Sequence, residues 1–194
     1  MTLSSPRILA LAASTREASL NKRLLRTAIV AAEANGGTVT HVDLRDLAMP
    51  LYDGDLEAAD GMPANARALK DLFLAHDGLL IATPEYNSSI PGVLKNAIDW
   101  VSRGKPGEVP LAAFDGKVAG LLAASPGALG GLRALVHLRA ILAAIRVLVV
   151  PEQFALARAS EAFDEAGALT DPKAQGAVET VARRLVDVTR KLGS

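Results

Sequence analysis

Short apolar runs alternate with longer stretches of helical periodicity along the chain. The apolar runs predict β-strands at 7–13, 38–44, 78–83, 117–124 and 146–150. Apolar residues spaced three and four apart predict helices at about 19–34, 64–76, 90–102, 128–144 and 173–192. Because strands and helices alternate, we expect an α/β fold in which helices cover both faces of a five-stranded parallel sheet. The run at 38–44 alternates between apolar and polar residues, so it is predicted to lie at a sheet edge.

Two of the predicted helices indicate how the layers pack. The helix at 90–102 carries a single apolar stripe, with Trp100 on its flank. The helix at 128–144 is apolar around most of its circumference. Either both sides of this second helix are covered within one chain, or one side meets another subunit. The flanking Trp100 is compatible with the same kind of subunit contact.

Composition narrows the classes of function. The chain has 194 residues, half of them hydrophobic, which predicts a single domain over residues 1–194 with a sizeable core. Its 21 basic and 21 acidic residues balance, so net charge gives no reason to expect nucleic acid or an anionic membrane as a partner. It has no cysteine and its three histidines lack metal-binding spacing, so no metal site is predicted. No apolar run approaches the roughly 18 residues of a membrane span, and the expected compartment is the cytoplasm.

Three polar segments follow predicted strands. They are STREASLN at 14–21, PEYNSS at 84–89 and SPGALGG at 125–131. Open α/β sheets bind their ligands at the carboxyl ends of the strands, near the point where strand order reverses. We therefore expect these three segments to converge on one site.

The first segment has the donors that a phosphate monoester requires. Ser14 and Ser19 offer hydroxyl groups. Arg16 offers a planar cation and Asn21 an amide, and the helix that begins near Ser19 adds free backbone N–H groups. With Ser19 as N-cap, the third helical residue is Lys22 rather than the acid of a capping box, which leaves the helix end open to an outside anion. The alternative is that Ser19 is an ordinary cap and Arg16 is solvated.

Absent motifs narrow the identity of the phosphate ligand. No G-x-G-x-x-G follows the first strand, which argues against a dinucleotide-binding Rossmann fold. The chain also lacks the motif G-x-x-x-x-G-K-[ST], which argues against a Walker-type NTPase. A loop rich in serine and threonine after the first strand of such a sheet favours a mononucleotide, with FMN as the first candidate.

The second segment has residues suited to the flat ring of a flavin. Tyr86 can pack against the ring or its substrate, Asn87 can pair with its polar edge, and Pro84 stiffens the end of the strand. An ordinary strand-to-helix loop with a cap at Ser88 or Ser89 is the alternative.

The third segment is less distinctive. Ser125, Pro126 and Gly127 permit the backbone to approach the edge of a ring closely. Gly130 and Gly131 are expected only to loosen the start of a helix.

Together these motifs resemble those of the NAD(P)H-dependent FMN reductase family, which includes chromate, quinone and azo-dye reductases. The resemblance extends from about Arg7 to Val150 and is most specific around PEYNSSIPGVLKNAIDW. It implies a flavodoxin-like three-layer sandwich with strand order 2-1-3-4-5. Ala13 departs from the family pattern, which usually has Gly there, and its methyl group crowds the turn. The FMN-binding residues predicted in this way are Ser14, Arg16, Ser19, Leu20, Asn21, Pro84, Glu85, Tyr86, Asn87, Ser125, Pro126 and Gly127.

The resemblance also implies a function. Hydride passes from NAD(P)H to bound FMN, and the electrons then reduce a quinone, a nitro or azo compound, a metal oxyanion such as chromate, or free flavin. Family members are commonly dimers or tetramers that complete the flavin site across subunits, so a homodimer or homotetramer is expected. Because no partner acid or histidine is evident for Glu85, no protein general acid or base is predicted. Arg103, Lys105 and Arg133 are candidates for binding the 2′-phosphate of NADPH.

Two other functions stay open at this point. A flavodoxin-type electron carrier would dock to protein partners, but such carriers are strongly acidic whereas this chain is neutral. The other is an interaction protein that has lost its flavin.

Overall fold

Strands and helices alternate along the chain in the computed structural model, which describes residues 5–104 and 107–193. The strands are β1 (Arg7–Ala12), β2 (Thr38–Asp43), β3 (Gly78–Thr83), β4 (Val118–Ala124) and β5 (Leu148–Leu156). The helices are α1 (Leu20–Ala34), α2 (Gly54–Asp60), α3 (Ala64–Ala75), α4 (Gly92–Val101), α5 (Leu132–Ala144) and α6 (Pro172–Leu192). All five predicted strands and all five predicted helices are confirmed as elements, while α2 was not predicted.

The five strands form one sheet in the order β2-β1-β3-β4-β5, and every neighbouring pair is parallel. This is the flavodoxin-like order that the family resemblance implied. β2 lies at an edge, as its alternating sequence predicted, and none of its residues is fully buried. The chain leaves β1 first towards β2 and then returns to the other side at β3, so strand order reverses at β1.

Two apolar cores, one on each face of the sheet, hold the three layers together. Leu9 and Leu11 of β1 point to the face that α3, α4 and α5 cover. Ile8 and Ala10 point to the opposite face, which α1 and α6 cover. Because consecutive strand residues alternate between faces, a strand buried on both sides needs an unbroken apolar run, and β1, β3 and β4 each have one. Within the described ranges, no helix has the length and apolarity to cross a membrane.

β5 differs from its predicted extent. It begins at Leu148 rather than at residue 146 and continues to Leu156 through a register shift opposite Ala119 and Leu121 of β4. Beside this register shift, the guanidinium of Arg139 of α5 donates to the backbone carbonyls of Val149, at 3.2 Å, and Val150, at 2.9 Å. A side chain from the helical layer therefore binds backbone carbonyls at the point where the strand pairing shifts register.

α5 begins at Leu132, so the predicted start at residue 128 is wrong. Gly130 and Gly131 have φ angles of 62° and 95°, in the left-handed region that excludes most side chains from a helix start. A Cβ atom on Gly130 would lie 2.7 Å from the backbone carbon of Leu156, and one on Gly131 would lie 2.7 Å from Cβ of Ala123. The two glycines thus let residues 125–131 pack directly against the ends of β4 and β5.

Of the two features considered for a subunit contact, Trp100 and α5, only α5 has exposed apolar residues. Trp100 is fully buried within the chain, and its Nε1 donates to the carbonyl of Pro50 at 2.8 Å. Its ring packs nearly perpendicular to that of Tyr52, with the two ring centroids 5.0 Å apart. It therefore forms no part of an exposed surface. On α5, one side is buried against the sheet, while Leu132 and Val136 on the other side are exposed.

Replacing Gly130 with Ala is expected to lower the free energy of unfolding by about 2 kcal/mol or more, because the new methyl group adds a backbone clash to the cost of the left-handed conformation. Urea unfolding measures the loss. Gly61→Ala is the matched control, since Gly61 has a φ of 76° but no atom within 4 Å of an added Cβ. Equal losses for the two variants would contradict the close packing of residues 125–131 against β5.

Candidate functional site

Three loops meet at the carboxyl edge of the sheet, beside the point where strand order reverses. We name them the first loop (13–19, after β1), the second loop (84–91, after β3) and the third loop (125–131, after β4). They border a cleft of about 120 Å³. The cleft is lined by Ser14, Arg16, Ser19, Leu20, Asn21, Pro84, Glu85, Tyr86, Ala124, Ser125 and Pro126. The structure therefore brings together most of the predicted site residues, while Asn87 and Gly127 lie in the same loops outside the lining.

The beginning of α1 faces this cleft with an open helix end. Ser19 is the N-cap, and its Oγ accepts from the backbone N–H of Lys22 at 3.4 Å. No acidic residue lies in the first turn, as the sequence predicted. Lys22 itself is neutralised by Asp43, whose carboxylate lies 2.5 Å from its Nζ. The helix end thus keeps its partial positive charge without an internal anion to compensate it.

The first loop adds polar donors that are free for a ligand. The side chain of Ser14 is buried, and its Oγ accepts from the backbone N–H of Arg16 at 3.4 Å. In the described part of the chain, the hydroxyl hydrogens of Ser14 and Ser19 have no acceptor, and the Arg16 guanidinium, which is exposed, has no partner. Of the charged residues that line the cleft, Arg16 is thus the one whose charge is not balanced by a described ion pair.

Asn21 connects the first loop to the third. Its side chain is buried, Nδ2 donates to the carbonyl of Ala124 at 2.9 Å, and Oδ1 accepts from the backbone N–H of Ala124 at 2.8 Å. Ala124, the last residue of β4, lines the cleft although the sequence gave no sign of it. The carboxamide of Asn21 is therefore mainly engaged with backbone, and one of its two N–H donors remains for a ligand.

The second loop contains a tight turn. Tyr86 and Ser89 exchange two backbone hydrogen bonds, of 2.9 and 3.0 Å. Between them Asn87 and Ser88 have φ angles of 50° and 67°, so both central residues of the turn are left-handed without being glycine. Within the described ranges the backbone N–H groups of Asn87 and Ser88 have no hydrogen-bond acceptor. The ring of Tyr86 is half exposed at the mouth of the cleft.

Glu85 has a partner that the sequence did not indicate. Its carboxylate binds the guanidinium of Arg133, with Nε 2.7 Å from Oε1, and also accepts from the backbone N–H of Arg133 at 3.1 Å. Burial opposes the charged form of Glu85, but Arg133 and the N–H groups at the start of α5 outweigh this effect and hold its pKa below the usual range. The two residues are 48 positions apart, so no local pattern could have revealed the pair.

Two of the three cations considered for a nucleotide 2′-phosphate are engaged elsewhere. Arg133 is bound to Glu85. Arg103 donates to the carbonyl of Asp99 and lies over the ring of Tyr52, 5.2 Å from its centroid. Lys105 lies outside the described residues. Both Arg103 and Arg133 are therefore already bound to other residues and are not free to bind a 2′-phosphate.

A larger groove of about 430 Å³ lies on the surface between α1 and α6, lined by residues such as Val30, Gln175 and Arg183. It lies between two helices, and none of the three loops at the strand ends lines it. The described residues contain no group of three or more histidine, aspartate or glutamate side chains that could hold a metal ion. The cleft at the strand ends is therefore the candidate site.

Comparisons with known proteins agree with this geometry. The family model for NADPH-dependent FMN reductases matches residues 6–161. An NAD(P)H-dependent FMN reductase of Pseudomonas aeruginosa is 39% identical over 192 residues, which cover 96% of this chain and 96% of that protein. A quinone reductase of Escherichia coli K12 is 38% identical over 143 residues, covering 74% of this chain and 72% of that protein.

A solved structure agrees as well. FerB, a flavoenzyme NAD(P)H:(acceptor) oxidoreductase from Paracoccus denitrificans, superposes with a TM-score of 0.79 at 30% sequence identity and covers 96% of this chain and 98% of that chain. The family match, over residues 6–161, includes all three loops of the site. The chain belongs to the NADPH-dependent FMN reductase family.

Proposed function

We propose that the protein is an FMN-dependent NAD(P)H oxidoreductase that reduces quinone-type acceptors, and that the three loops hold FMN jointly. Membership of the NADPH-dependent FMN reductase family supports the reaction class and the cofactor. The observation that carries the assignment of the site is the set of free donors at the start of α1, which lies beside a turn with free backbone N–H groups.

The phosphate of FMN fits the first loop. Ser14 and Ser19 would donate their hydroxyl hydrogens, and Arg16 would supply the charge-assisted hydrogen bonds and the compensating charge. The free N–H groups in the first turn of α1 add donors and a favourable dipole. Each of these groups has a donor that no described residue uses, so the residues present suit a dianionic phosphate.

The flavin ring fits between the second and third loops. The free N–H groups of Asn87 and Ser88 can donate to a polar ring edge, and Tyr86 can cover part of the ring or of its substrate. The chemistry supplied by bound FMN is acceptance of hydride from NAD(P)H and delivery of electrons to the acceptor. The chain's own groups position the ring and stabilise charge along its edge, and Ser125 and Pro126 limit the space on the other side.

A second copy of the chain is the proposed cover for the open side of the site. The cleft of about 120 Å³ is well below the roughly 300–1,000 Å³ of typical ligand pockets, so one chain encloses only part of the ligand. Next to it, Leu129, Leu132 and Val136 form an apolar patch whose residues are 43–56% exposed.

Light scattering measures the mass of the assembly and so tests this subunit contact. A dimer or tetramer is expected for the wild-type protein, and Val136→Glu should reduce the mass of the assembly. A wild-type monomer would contradict the proposal.

The cytoplasmic location predicted from the sequence stays a prediction.

Arg16→Ala is expected to raise the Kd of FMN about ten- to hundredfold, because a charge-assisted contact to the phosphate is lost. Fluorescence titration measures the Kd of FMN and, in parallel, that of riboflavin, which lacks the phosphate and should change little. Arg26→Ala is the matched control, since it removes an exposed charge from α1, outside the cleft. An unchanged Kd for FMN, or equal losses for both ligands, would show that Arg16 does not bind the phosphate.

Air-free addition of NADH or NADPH to the FMN-loaded protein is expected to bleach the visible flavin absorbance, and later addition of a quinone should restore it. The spectrum checks both half-reactions without any other protein. An electron carrier would stay coloured until a separate reductase was supplied, and a protein that has lost its flavin would stay colourless after FMN is added. Either result would overturn the proposed function.

A further inference from the structure

The turn of the second loop does not have the sequence that its shape favours. Turns with two left-handed central residues are dominated by glycine, asparagine and aspartate, because a Cβ atom is disfavoured there. Asn87 tolerates this conformation, but Ser88 has no such preference and still has a φ of 67°. The two backbone hydrogen bonds between Tyr86 and Ser89 close the turn from within. Contacts from outside the loop are therefore needed to hold the turn in one shape.

The first such contact comes from the residue before the turn. The Glu85 side chain is only 8% exposed, whereas that of its partner Arg133 is 54% exposed. Besides the guanidinium, its carboxylate accepts from the backbone N–H of Arg133, and the backbone N–H of Ala134 also lowers its pKa. The N-cap of α5 is Gly131, which has no side chain to cap the helix, and the first turn of α5 contains no acid. Glu85 thus supplies the missing N-terminal cap of α5 from another loop.

The second contact comes from the last residue of the turn. Ser89 Oγ lies 2.9 Å from Nδ1 of His137. His137 is four residues after Arg133, so both side chains lie on the same face of α5, one helical turn apart. The helix therefore binds the second loop on both sides of the left-handed pair, at Glu85 and at Ser89.

We propose that Glu85 is a positioning residue rather than a flavin ligand, and that its contacts with Arg133 hold the left-handed turn in the shape that presents its N–H groups to the ring. The role in FMN binding rests on the proposed function, whereas the shape of the turn can be tested without any ligand. In the described part of the chain, the hydrogen bonds of the Glu85 carboxylate and of Ser89 go to Arg133 and His137 of α5 and to Tyr86 of the turn. Loss of the pair frees the turn to leave its left-handed conformation and weakens flavin binding indirectly.

Amide hydrogen exchange of the flavin-free protein, followed by NMR, tests the turn directly. In Glu85→Gln and in Arg133→Met, the amides of Tyr86 and Ser89 are expected to exchange about tenfold faster or more, because these amides make the bonds that close the turn. Amides in the centre of β3 should not change. Arg146→Met is the matched control, since it breaks an exposed ion pair with Asp115 near the other end of α5. Unchanged exchange at Tyr86 and Ser89 in both variants would overturn the proposal.

FMN titrations of the same variants separate positioning from direct binding. Each single variant is expected to raise the Kd of FMN about tenfold, and the double variant should be little worse than either one, because both remove the same contact. Arg133→Lys, which keeps the charge but not the planar fork, should recover part of the affinity. If Glu85 instead contacts the flavin, Glu85→Gln will weaken binding while Arg133→Met will not, which contradicts the proposal. If wild-type protein fails to bind FMN, the proposed function fails, and the exchange experiment still decides the role of Glu85.

Discussion

The carboxamide of Asn21 joins the beginning of α1 to the end of β4 through two hydrogen bonds with the backbone of Ala124. These two elements carry the first and third loops, so one buried side chain fixes the distance between opposite sides of the cleft. The amide uses one N–H donor and its oxygen acceptor on the backbone of one residue, which sets orientation as well as distance. A site assembled from separate loops needs such fixed connections, because ligand donors only a fraction of an ångström out of place lose much of their effect.

The two ends of the site differ in charge and in the kind of hydrogen-bond donor that they offer. At the first loop the ionic partners pair off locally, Lys22 with Asp43 and Glu17 with Arg45, and Arg16 is left to meet an anion. At the second loop the charged residue, Glu85, is neutralised by Arg133, so backbone N–H groups remain as the donors. A dianionic phosphate and a neutral aromatic ring require these two different environments. The arrangement is consistent with a protein that positions a flavin and leaves the redox chemistry to it.

The sequence revealed what is encoded locally. Apolar runs located the buried strands, and the spacing around Ser19 revealed a helix start without a capping-box acid, because both depend on residues that are close in the chain. α2 escaped prediction because none of its residues is buried, so it has no apolar stripe to detect. The later part of β5 was missed because Pro151 and the polar residues after it interrupt the apolar run.

Other features depend on contacts between distant residues, and the sequence gave no sign of them. The start of α5 is set by the packing of Gly130 against the end of β5, and not by its own helical spacing. The partner of Glu85 is likewise fixed only when β3 and β4 lie side by side. Trp100, which the sequence placed at a possible subunit surface, is covered by the segment that contains Pro50 and Tyr52. In each case tertiary packing decided the outcome.

A crystal structure of the protein with FMN tests most directly whether the three loops hold one flavin jointly. We expect the phosphate within hydrogen-bonding distance of Ser14, Arg16 and Ser19, and the ring beside the turn at Tyr86–Ser89. We also expect the turn to keep its left-handed conformation and the carboxylate of Glu85 to stay on Arg133. FMN bound elsewhere, for example in the groove between α1 and α6, would contradict joint binding by the three loops.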